Sequence, residues 1–139
     1  MRVLFSGYKN PHFQAVTDYI ETALKDMGHE VLYFDYRSYS LPGRLRERMA
    51  FLENWDLGKL NRRLAEAASA FRPDLFLACG GYTIEPRTVA AIRRSGAVCA
   101  AWYADYPLLF ERYLELAGRY DRFFTSGTDA LEQIGRAHV

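Results

Sequence analysis

AVCAAWYADYP, residues 97–107, is the stretch that decides the fold. Its first seven residues are apolar without polar alternation, which is typical of a strand buried on both faces of a parallel sheet. Asp105 follows this apolar run, so a carboxylate lies where the strand gives way to the next helix. Ligands of open parallel sheets bind at the carboxyl ends of the strands. The stretch therefore predicts a core strand and a candidate site residue.

Strand-like segments lie on both sides of this stretch, and helical patterns separate them. The other predicted strands are Val3–Phe5, Val31–Phe34, Leu75–Cys79 and Phe123–Phe124. This alternation predicts an α/β fold of one domain, residues 1–139, built as a Rossmann-like three-layer α/β/α sandwich. For its mostly parallel sheet of about five strands we expect the order 3-2-1-4-5.

The helices are predicted from apolar spacing and capping residues. Between Phe13 and Met27, apolar residues recur every three or four positions, which predicts a helix capped by Asn10 and ended by Gly28. Between the second and third strands the pattern predicts two helices with an interruption at Asn54-Trp55-Asp56. These two helices cover about 44–53 and 60–71, and further helices are predicted over 86–94, 107–117 and 128–135.

Composition limits the classes of function. The chain has 139 residues, of which 50% are hydrophobic, and its net charge of +1 argues against nucleic-acid binding. No apolar run reaches the roughly 18–20 residues that a membrane span requires. The N-terminus enters a strand directly, where a signal peptide would have a longer apolar region. We therefore expect a cytoplasmic protein that binds neither nucleic acid nor membrane.

The two cysteines, Cys79 and Cys99, lie in the third and fourth predicted strands. In the expected order these strands are three spacings apart, or roughly 14 Å. A disulfide needs Cα atoms within about 7 Å. Both cysteines are therefore predicted to be free thiols.

The motifs of several cofactor classes are missing from the sequence. A dinucleotide-binding turn carries three glycines after the first strand, but residues 6–11, Ser-Gly-Tyr-Lys-Asn-Pro, contain one. The sequence has no Walker A pattern, no Gly-x-Ser-x-Gly elbow and no cluster with the spacing of metal ligands. We expect no metal and no cofactor in this domain.

Candidate site residues follow the ends of three predicted strands. They are Gly7, Tyr8, Lys9 and His12 after the first strand, Gly80, Gly81 and Tyr82 after the third, and Asp105 and Tyr106 after the fourth. Because strands 1 and 4 are neighbours in the expected order, Lys9 and His12 are expected near Asp105. Glycines let a backbone approach a ligand closely, and tyrosines can stack on a sugar or a base.

Each of these candidates also has a purely structural explanation. Gly80-Gly81 fits a plain tight turn, His12 fits a surface position in a first helical turn, and Asp105 fits a helix-capping carboxylate. A binding site is favoured by their convergence on one edge of the sheet.

Several segments together carry a resemblance to a known family. They are Pro-Asp-Leu at 73–75, Gly-Gly-Tyr-Thr-Ile-Glu-Pro at 80–86, Gly96, Trp-Tyr-Ala-Asp-Tyr-Pro at 102–107, Tyr-Asp-Arg-Phe-Phe at 120–124 and Ser126. In this pattern the chain resembles the spore-maturation protein CgeB-like family, glycosyltransferases of the two-domain GT-B architecture. The resemblance covers nearly the whole chain, as the N-terminal domain. The family often has two acidic residues before the proline, and Tyr106 takes the second of these positions here.

The resemblance implies a division of labour between two domains. The N-terminal half holds the acceptor, the C-terminal half holds most of the nucleotide-sugar donor, and transfer occurs in the cleft between them. This chain would then be the acceptor-side half of a longer bacterial protein, inactive alone, whose partners are the missing C-terminal domain and the sugar acceptor. Asp105 or His12 is the candidate general base of this half. The candidates for substrate binding are Gly7, Tyr8, Lys9, Gly80, Gly81, Tyr82 and Tyr106.

Two other interpretations remain open. One is a non-enzymatic α/β module for signalling or interaction, whose sheet edge binds a small ligand or a partner protein. The other is a flavodoxin-like domain, which is disfavoured because the loop after the first strand is poor in hydroxyls and glycines. A downstream nucleotide-sugar domain in the same gene would favour the glycosyltransferase.

Overall fold

The structure, a computed structural model, describes residues 1–103 and 116–125. In chain order its elements are β1 (Arg2–Gly7), α1 (Val16–Asp26), β2 (Glu30–Asp35), α2 (Gly43–Arg46), α3 (Ala50–Phe71), β3 (Leu75–Cys79), α4 (Pro86–Arg94), β4 (Val98–Tyr103) and β5 (Arg122–Thr125). All five predicted strands are present. The helices predicted over 107–117 and 128–135 lie outside the described residues, except for the buried, helical residues 116 and 117.

The five strands form one parallel sheet, which confirms the predicted α/β, Rossmann-like class. Their order is β2-β1-β3-β4-β5. The expected order 3-2-1-4-5 is wrong, because β3 pairs with β1 and not with β2. Right-handed crossovers are compatible with both orders, which differ in the face that carries the β2–β3 connection. Here α3 lies on the face opposite to α1, so this connection crosses β1 and brings β3 to its far side.

Apolar packing on both faces of the sheet produces three layers. On one face, Leu64 of α3 and Val89 of α4 belong to the same buried cluster as Phe76 of β3. On the other face, Leu24 of α1 packs with Phe5 of β1. The middle strands are therefore covered on both sides, as their continuous apolar sequences predict.

The start of α1 lies later in the chain than predicted. The helix begins at Val16, and its N-cap is Ala15, whose N–H donates to the carboxylate of Asp18 at 2.8 Å. The predicted cap, Asn10, instead accepts an N–H two residues further on, in a local turn. Phe13 therefore lies outside the helix and is exposed.

The expected interruption at residues 54–56 is also wrong, because α3 runs through it without a break. Of these three residues, Asp56 is only 1% exposed. Its carboxylate accepts the N–H groups of Ser40 at 2.9 Å and Leu41 at 3.1 Å, both in the segment before α2. The acidic side chain is thus satisfied by partners outside the helix, and the helix continues.

Both cysteines are free, as predicted, although the expected separation of their strands is wrong. β3 and β4 are neighbours, and their register pairs Cys99 with Phe76 and Cys79 with Trp102. The cysteines are therefore three positions out of register, or roughly 10 Å along the strands. They also belong to clusters on opposite faces of the sheet.

The thiol of Cys99 is expected to react slowly in the folded protein. Its side chain is fully buried, and this burial raises its pKa to about 12. Because only the thiolate is nucleophilic, a Cys79→Ser variant should react with a thiol reagent at pH 8 at least about tenfold more slowly when folded than when unfolded in urea. A Cys99→Ser variant, which retains only the Cys79 thiol on the opposite face of the sheet, serves as the comparison. Equal rates for Cys99 in the folded and unfolded protein would contradict this expectation.

Within residues 1–103 and 116–125, no helix has both the length and the apolar character needed to cross a membrane.

Candidate functional site

A cleft of about 270 Å³ lies at the carboxyl edge of the sheet. Its walls come from the start of α1, from the segments that follow β1, β2 and β3, and from the last residue of β4. The lining residues that carry the argument are Tyr8, Thr17, Tyr36, Arg37, Tyr82 and Tyr103. The cleft is therefore rich in tyrosine and is assembled from parts of the chain that are far apart in sequence.

The position of the cleft follows from the strand order. The chain leaves β1 for α1 on one face of the sheet, and it leaves the neighbouring β3 for α4 on the other face. The loops after these two strands diverge and leave a crevice between them, which is the usual ligand position in open α/β sheets. The same strand order, 2-1-3-4-5, is that of flavodoxin-like sheets.

Two consecutive glycines form the turn after β3. Gly80 has a φ of +75° and Gly81 a φ of +90°, both in the left-handed region that favours glycine. A Cβ atom on Gly80 would lie 3.2 Å from the hydroxyl oxygen of Tyr36, and one on Gly81 would lie 2.9 Å from the Cδ1 atom of Ile84. The glycines therefore let the turn fold tightly against its neighbours at the bottom of the cleft.

The segment after β2 supplies an aromatic ring and a positive charge. The Arg37 guanidinium carbon lies 4.1 Å from the centroid of the Tyr8 ring and 5.7 Å from that of Tyr36. Burial raises the pKa of the Tyr36 phenol, although the positive charge of Arg37 partly opposes this. Tyr36 therefore stays protonated at neutral pH and can both donate and accept a hydrogen bond.

A buried amide on α3 holds the turn after β3 in place. Asn61 is 4% exposed, and its Nδ2 donates to the carbonyl oxygens of Leu57 and Thr83, each at 2.9 Å. Its Oδ1 accepts from the backbone N–H of Glu85 at 2.8 Å and from the hydroxyl of Thr88 at 2.9 Å. One side chain thus fixes both the turn and the start of α4.

The segment after β2 and the segment after β3 are also hydrogen-bonded to each other. The Thr83 hydroxyl donates to the carbonyl oxygen of Tyr36 at 3.3 Å. The Arg63 guanidinium on α3 donates to the carbonyl oxygen of Ser38 at 2.9 Å. Asp56 and Arg63 anchor the segment after β2 to α3, and Asn61 anchors the segment after β3 to the same helix, so these two walls of the cleft are prearranged.

Four of the residues predicted from strand ends meet in this cleft: Tyr8, Gly80, Gly81 and Tyr82. A fifth, Gly7, lies next to it and has a packing role. A Cβ atom at this position would lie 2.8 Å from the Tyr33 hydroxyl oxygen and 2.9 Å from the Cγ2 atom of Thr17. Gly7 is therefore required for the contact between β1, β2 and α1.

Lys9 and His12 do not line the cleft and lie instead at a separate, open depression beside α1. The Nζ atom of Lys9 is 2.9 Å from a carboxylate oxygen of Glu21, which Lys25 also contacts at 2.7 Å. Burial would raise the pKa of Glu21, but the hydrogen bonds and charges of the two lysines bring it below its usual value. Lys9 thus neutralises a largely buried carboxylate.

The reason given for placing Lys9 and His12 near Asp105 is wrong, since β3 separates β1 from β4. Asp105 and Tyr106 themselves lie outside the described residues.

Sequence reasoning missed three groups that define the site: Tyr36, Arg37 and Asn61. The first two directly follow β2, so the strand-end rule that selected Tyr8 and Tyr82 would have selected them as well. Nothing in the sequence distinguishes Asn61 from the other polar residues of α3. Its importance depends on tertiary contacts to a turn more than 20 residues away.

The described part of the cleft is lined mainly by uncharged side chains. Among residues 1–103 and 116–125, Arg37 is the only charged side chain that lines it. No group of three or more histidine, cysteine or carboxylate side chains within those residues could hold a metal ion. The described part of the cleft therefore offers aromatic rings, hydroxyls, the Cys79 thiol and a single positive charge.

Comparisons with known proteins found no counterpart: no family model matches the chain, and no match was found among curated proteins or solved structures.

Proposed function

We propose that this chain is the acceptor-side domain of a two-domain glycosyltransferase and that its tyrosine-lined cleft binds the sugar of the acceptor. The observation that carries the proposal is the convergence of Tyr8, Tyr36, Tyr82 and Tyr103 on one cleft at the carboxyl edge of the sheet. The proposal also draws on the resemblance of residues 73–126 to CgeB-like glycosyltransferases.

A sugar fits the mixed chemistry of such a cleft. Its C–H faces stack on aromatic rings, and its hydroxyls exchange hydrogen bonds with phenols and backbone groups. A volume of about 270 Å³ suits one monosaccharide unit rather than a long chain. The segments after β2 and β3, which form two walls of the cleft, are anchored to α3, so they need little ordering when the ligand binds.

The donor and the reaction belong to the rest of the proposed enzyme. Leaving-group stabilisation needs cationic or backbone groups arranged around a diphosphate, and the described cleft offers one arginine. In this proposal a C-terminal domain holds the nucleotide-sugar, and Asp105 is the candidate general base. His12 is less suited to that role, since it lies at the other depression. The domain alone would bind an acceptor and transfer nothing.

Sugar binding should depend on Tyr82, which is 36% exposed at the cleft. Replacing Tyr82 with alanine should weaken binding about fivefold, because a stacked ring contributes roughly 1 kcal/mol. Titrations with glucose, galactose and N-acetylglucosamine, followed by NMR, measure the effect. Tyr19→Ala is the matched control, since this tyrosine is 62% exposed on α1 and does not line the cleft. Absence of binding by all three sugars would refute the proposal, as would equal losses in the two variants.

A second candidate is a non-enzymatic module that binds a small ligand at the same edge. The observation that favours it is that the described cleft is assembled within a single domain, from loops that are already anchored. The two candidates differ in turnover. Nucleotide release from nucleotide-sugars by the protein of the complete gene, lost in an Asp105→Asn variant, would favour the enzyme. Ligand binding without such turnover would favour the module.

A further inference from the structure

We infer that the natural ligand of the cleft carries an oxyanion, a phosphate monoester or a carboxylate, that pairs with Arg37. This inference rests on the proposed function only in taking the rest of the ligand to be a sugar. Arg37 itself was not among the residues that the sequence selected.

The first argument is that the positive charge of Arg37 has no protein counterion among the described residues. The ion pairs of that part of the chain involve other cations: Arg2, Lys9, Lys25, Arg87 and Arg93. The nearest carboxylate in sequence, that of Asp35, accepts the backbone N–H of Arg37 at 2.8 Å. It is therefore engaged with the main chain, and the guanidinium is left to bind an external anion.

The second argument is that the guanidinium is held at the cleft by aromatic rings. Its carbon lies 4.1 Å from the centroid of the Tyr8 ring, a distance typical of a cation–π contact. A guanidinium that stacks by its face keeps its N–H edge free, and this edge matches the two oxygens of a carboxylate or a phosphate. The Arg37 guanidinium also hydrogen-bonds to the Tyr36 phenol. The Tyr8 ring and the Tyr36 hydroxyl together position the arginine, and the donors that Tyr36 does not occupy face the ligand.

The third argument is that the backbone around Arg37 is already fixed. The N–H of Tyr36 donates to the carbonyl oxygen of Gly7 at 3.2 Å, and the carbonyl of Tyr36 accepts from the Thr83 hydroxyl. Ser38 donates through both its N–H and its hydroxyl to the carbonyl oxygen of Asp35. Anion binding therefore requires no rearrangement of the main chain around Arg37, which favours affinity.

The start of α1 adds a positive electrostatic potential to that of the Arg37 guanidinium. Val16 and Thr17, in its first turn, line the cleft, so the positive end of the helix dipole faces the ligand. The Asp18 carboxylate in the same turn is bound to the N–H of Ala15 and offsets part of this field. Arg37 is thus the principal positive group, and the helix supports it.

The inference is tested by comparing charged and neutral ligands of the same size. The wild-type chain is titrated with glucose, glucose 6-phosphate, glucuronate and inorganic phosphate, and the backbone amide signals of residues 80–82 are followed by NMR. We expect at least one of the two charged sugars to bind about tenfold more tightly than glucose. Preference for glucose 6-phosphate identifies a phosphate monoester, and preference for glucuronate identifies a carboxylate.

Three arginine variants separate a direct role of Arg37 from a general charge effect. Arg37→Met should abolish the preference for the charged sugar, and Arg37→Lys should retain part of it, because the charge remains but the planar edge is lost. Arg62→Met is the matched control, since Arg62 is exposed on α3 and does not line the cleft. It should leave the preference unchanged. Thermal unfolding of each variant verifies that it is folded.

The outcomes distinguish this inference from the proposed function. Equal affinity for glucose and both charged sugars would overturn the inference and leave sugar binding intact. A preference that persists in Arg37→Met would also overturn it. Binding of inorganic phosphate through Arg37 without binding of any sugar would support the inference and refute the sugar acceptor. If none of the four probes binds, both are refuted.

Discussion

Replacing Asn61 with leucine is expected to lower the free energy of unfolding by about 3 kcal/mol, and the melting temperature by about 10 °C. Leucine has the same branched skeleton of heavy atoms and a larger volume, so the change removes hydrogen bonds without opening a cavity. Asn61 takes part in four bonds, to Leu57, Thr83, Glu85 and Thr88. The partners in the turn and in α4 would be left buried and unpaired, and each such group costs roughly 1–3 kcal/mol.

The matched control for this substitution is Asn54→Leu. Asn54 lies on the same helix but on its exposed side, so the same change should alter stability by less than about 0.5 kcal/mol. Urea unfolding of both variants measures the difference. If both variants lose the same stability, the effect of Asn61 reflects helix propensity rather than the bonds to the turn.

The loss at Asn61 should also affect ligand binding. The amide holds the segment after Gly80 and Gly81, which forms one wall of the cleft. A turn that is no longer tied to α3 samples more conformations, and the ligand must then select the competent one. Affinity for any cleft ligand should therefore fall in the Asn61 variant even at temperatures where the protein remains folded.

The existence of the strands was predictable because each is a continuous apolar run bounded by turn residues. The order of the strands was not, since it depends on which face of the sheet carries the β2–β3 connection. Both choices give right-handed crossovers and bury similar residues. The wrong strand order had a direct consequence for the predicted site, because it placed the loop after β1 beside β4 instead of β3.

The predicted helix boundaries were wrong where tertiary contacts outweighed the helix-capping and helix-breaking preferences of nearby residues. Asn10 and the proline after it form a good helix start in isolation, but α1 begins where Asp18 reaches back to the N–H of Ala15. Asp56 resembled a helix break until its partners, Ser40 and Leu41, were located in another loop. In both cases a side chain finds a hydrogen-bond partner that the linear sequence does not identify.

The candidate site was partly predictable for a geometric reason. Carboxyl ends of parallel strands meet at one edge, so Tyr8, Gly80, Gly81 and Tyr82 could be grouped without coordinates. The rule does not state which strand-end residues point into the cleft and which pack beneath it. Lys9 follows the same strand as Tyr8, yet its ammonium group forms an ion pair with Glu21 outside the cleft.

A second large loss of stability is expected for a substitution at the centre of the sheet, and its size depends directly on the strand order. Phe76 of β3 is fully buried, and its ring stacks on that of Tyr120 with centroids 6.3 Å apart. Phe76→Ala should lower the free energy of unfolding by about 4 kcal/mol, because the large side chain leaves a cavity between covered layers. Urea unfolding at a fixed temperature measures this loss.

Phe34→Ala on β2 is the informative comparison, since the two substitutions are chemically identical. β2 is an edge strand, and Phe34 is 8% exposed, so the space left by its side chain is closer to solvent and can be relieved by local movement. We expect its cost to be smaller than that of Phe76→Ala by at least about 1 kcal/mol. In the alternative order 3-2-1-4-5, β2 would be interior and β3 would be the edge, and the ranking would be reversed. A larger loss at Phe34 than at Phe76 would therefore contradict the observed topology and, with it, the juxtaposition of Tyr8 and Gly80 that forms the cleft.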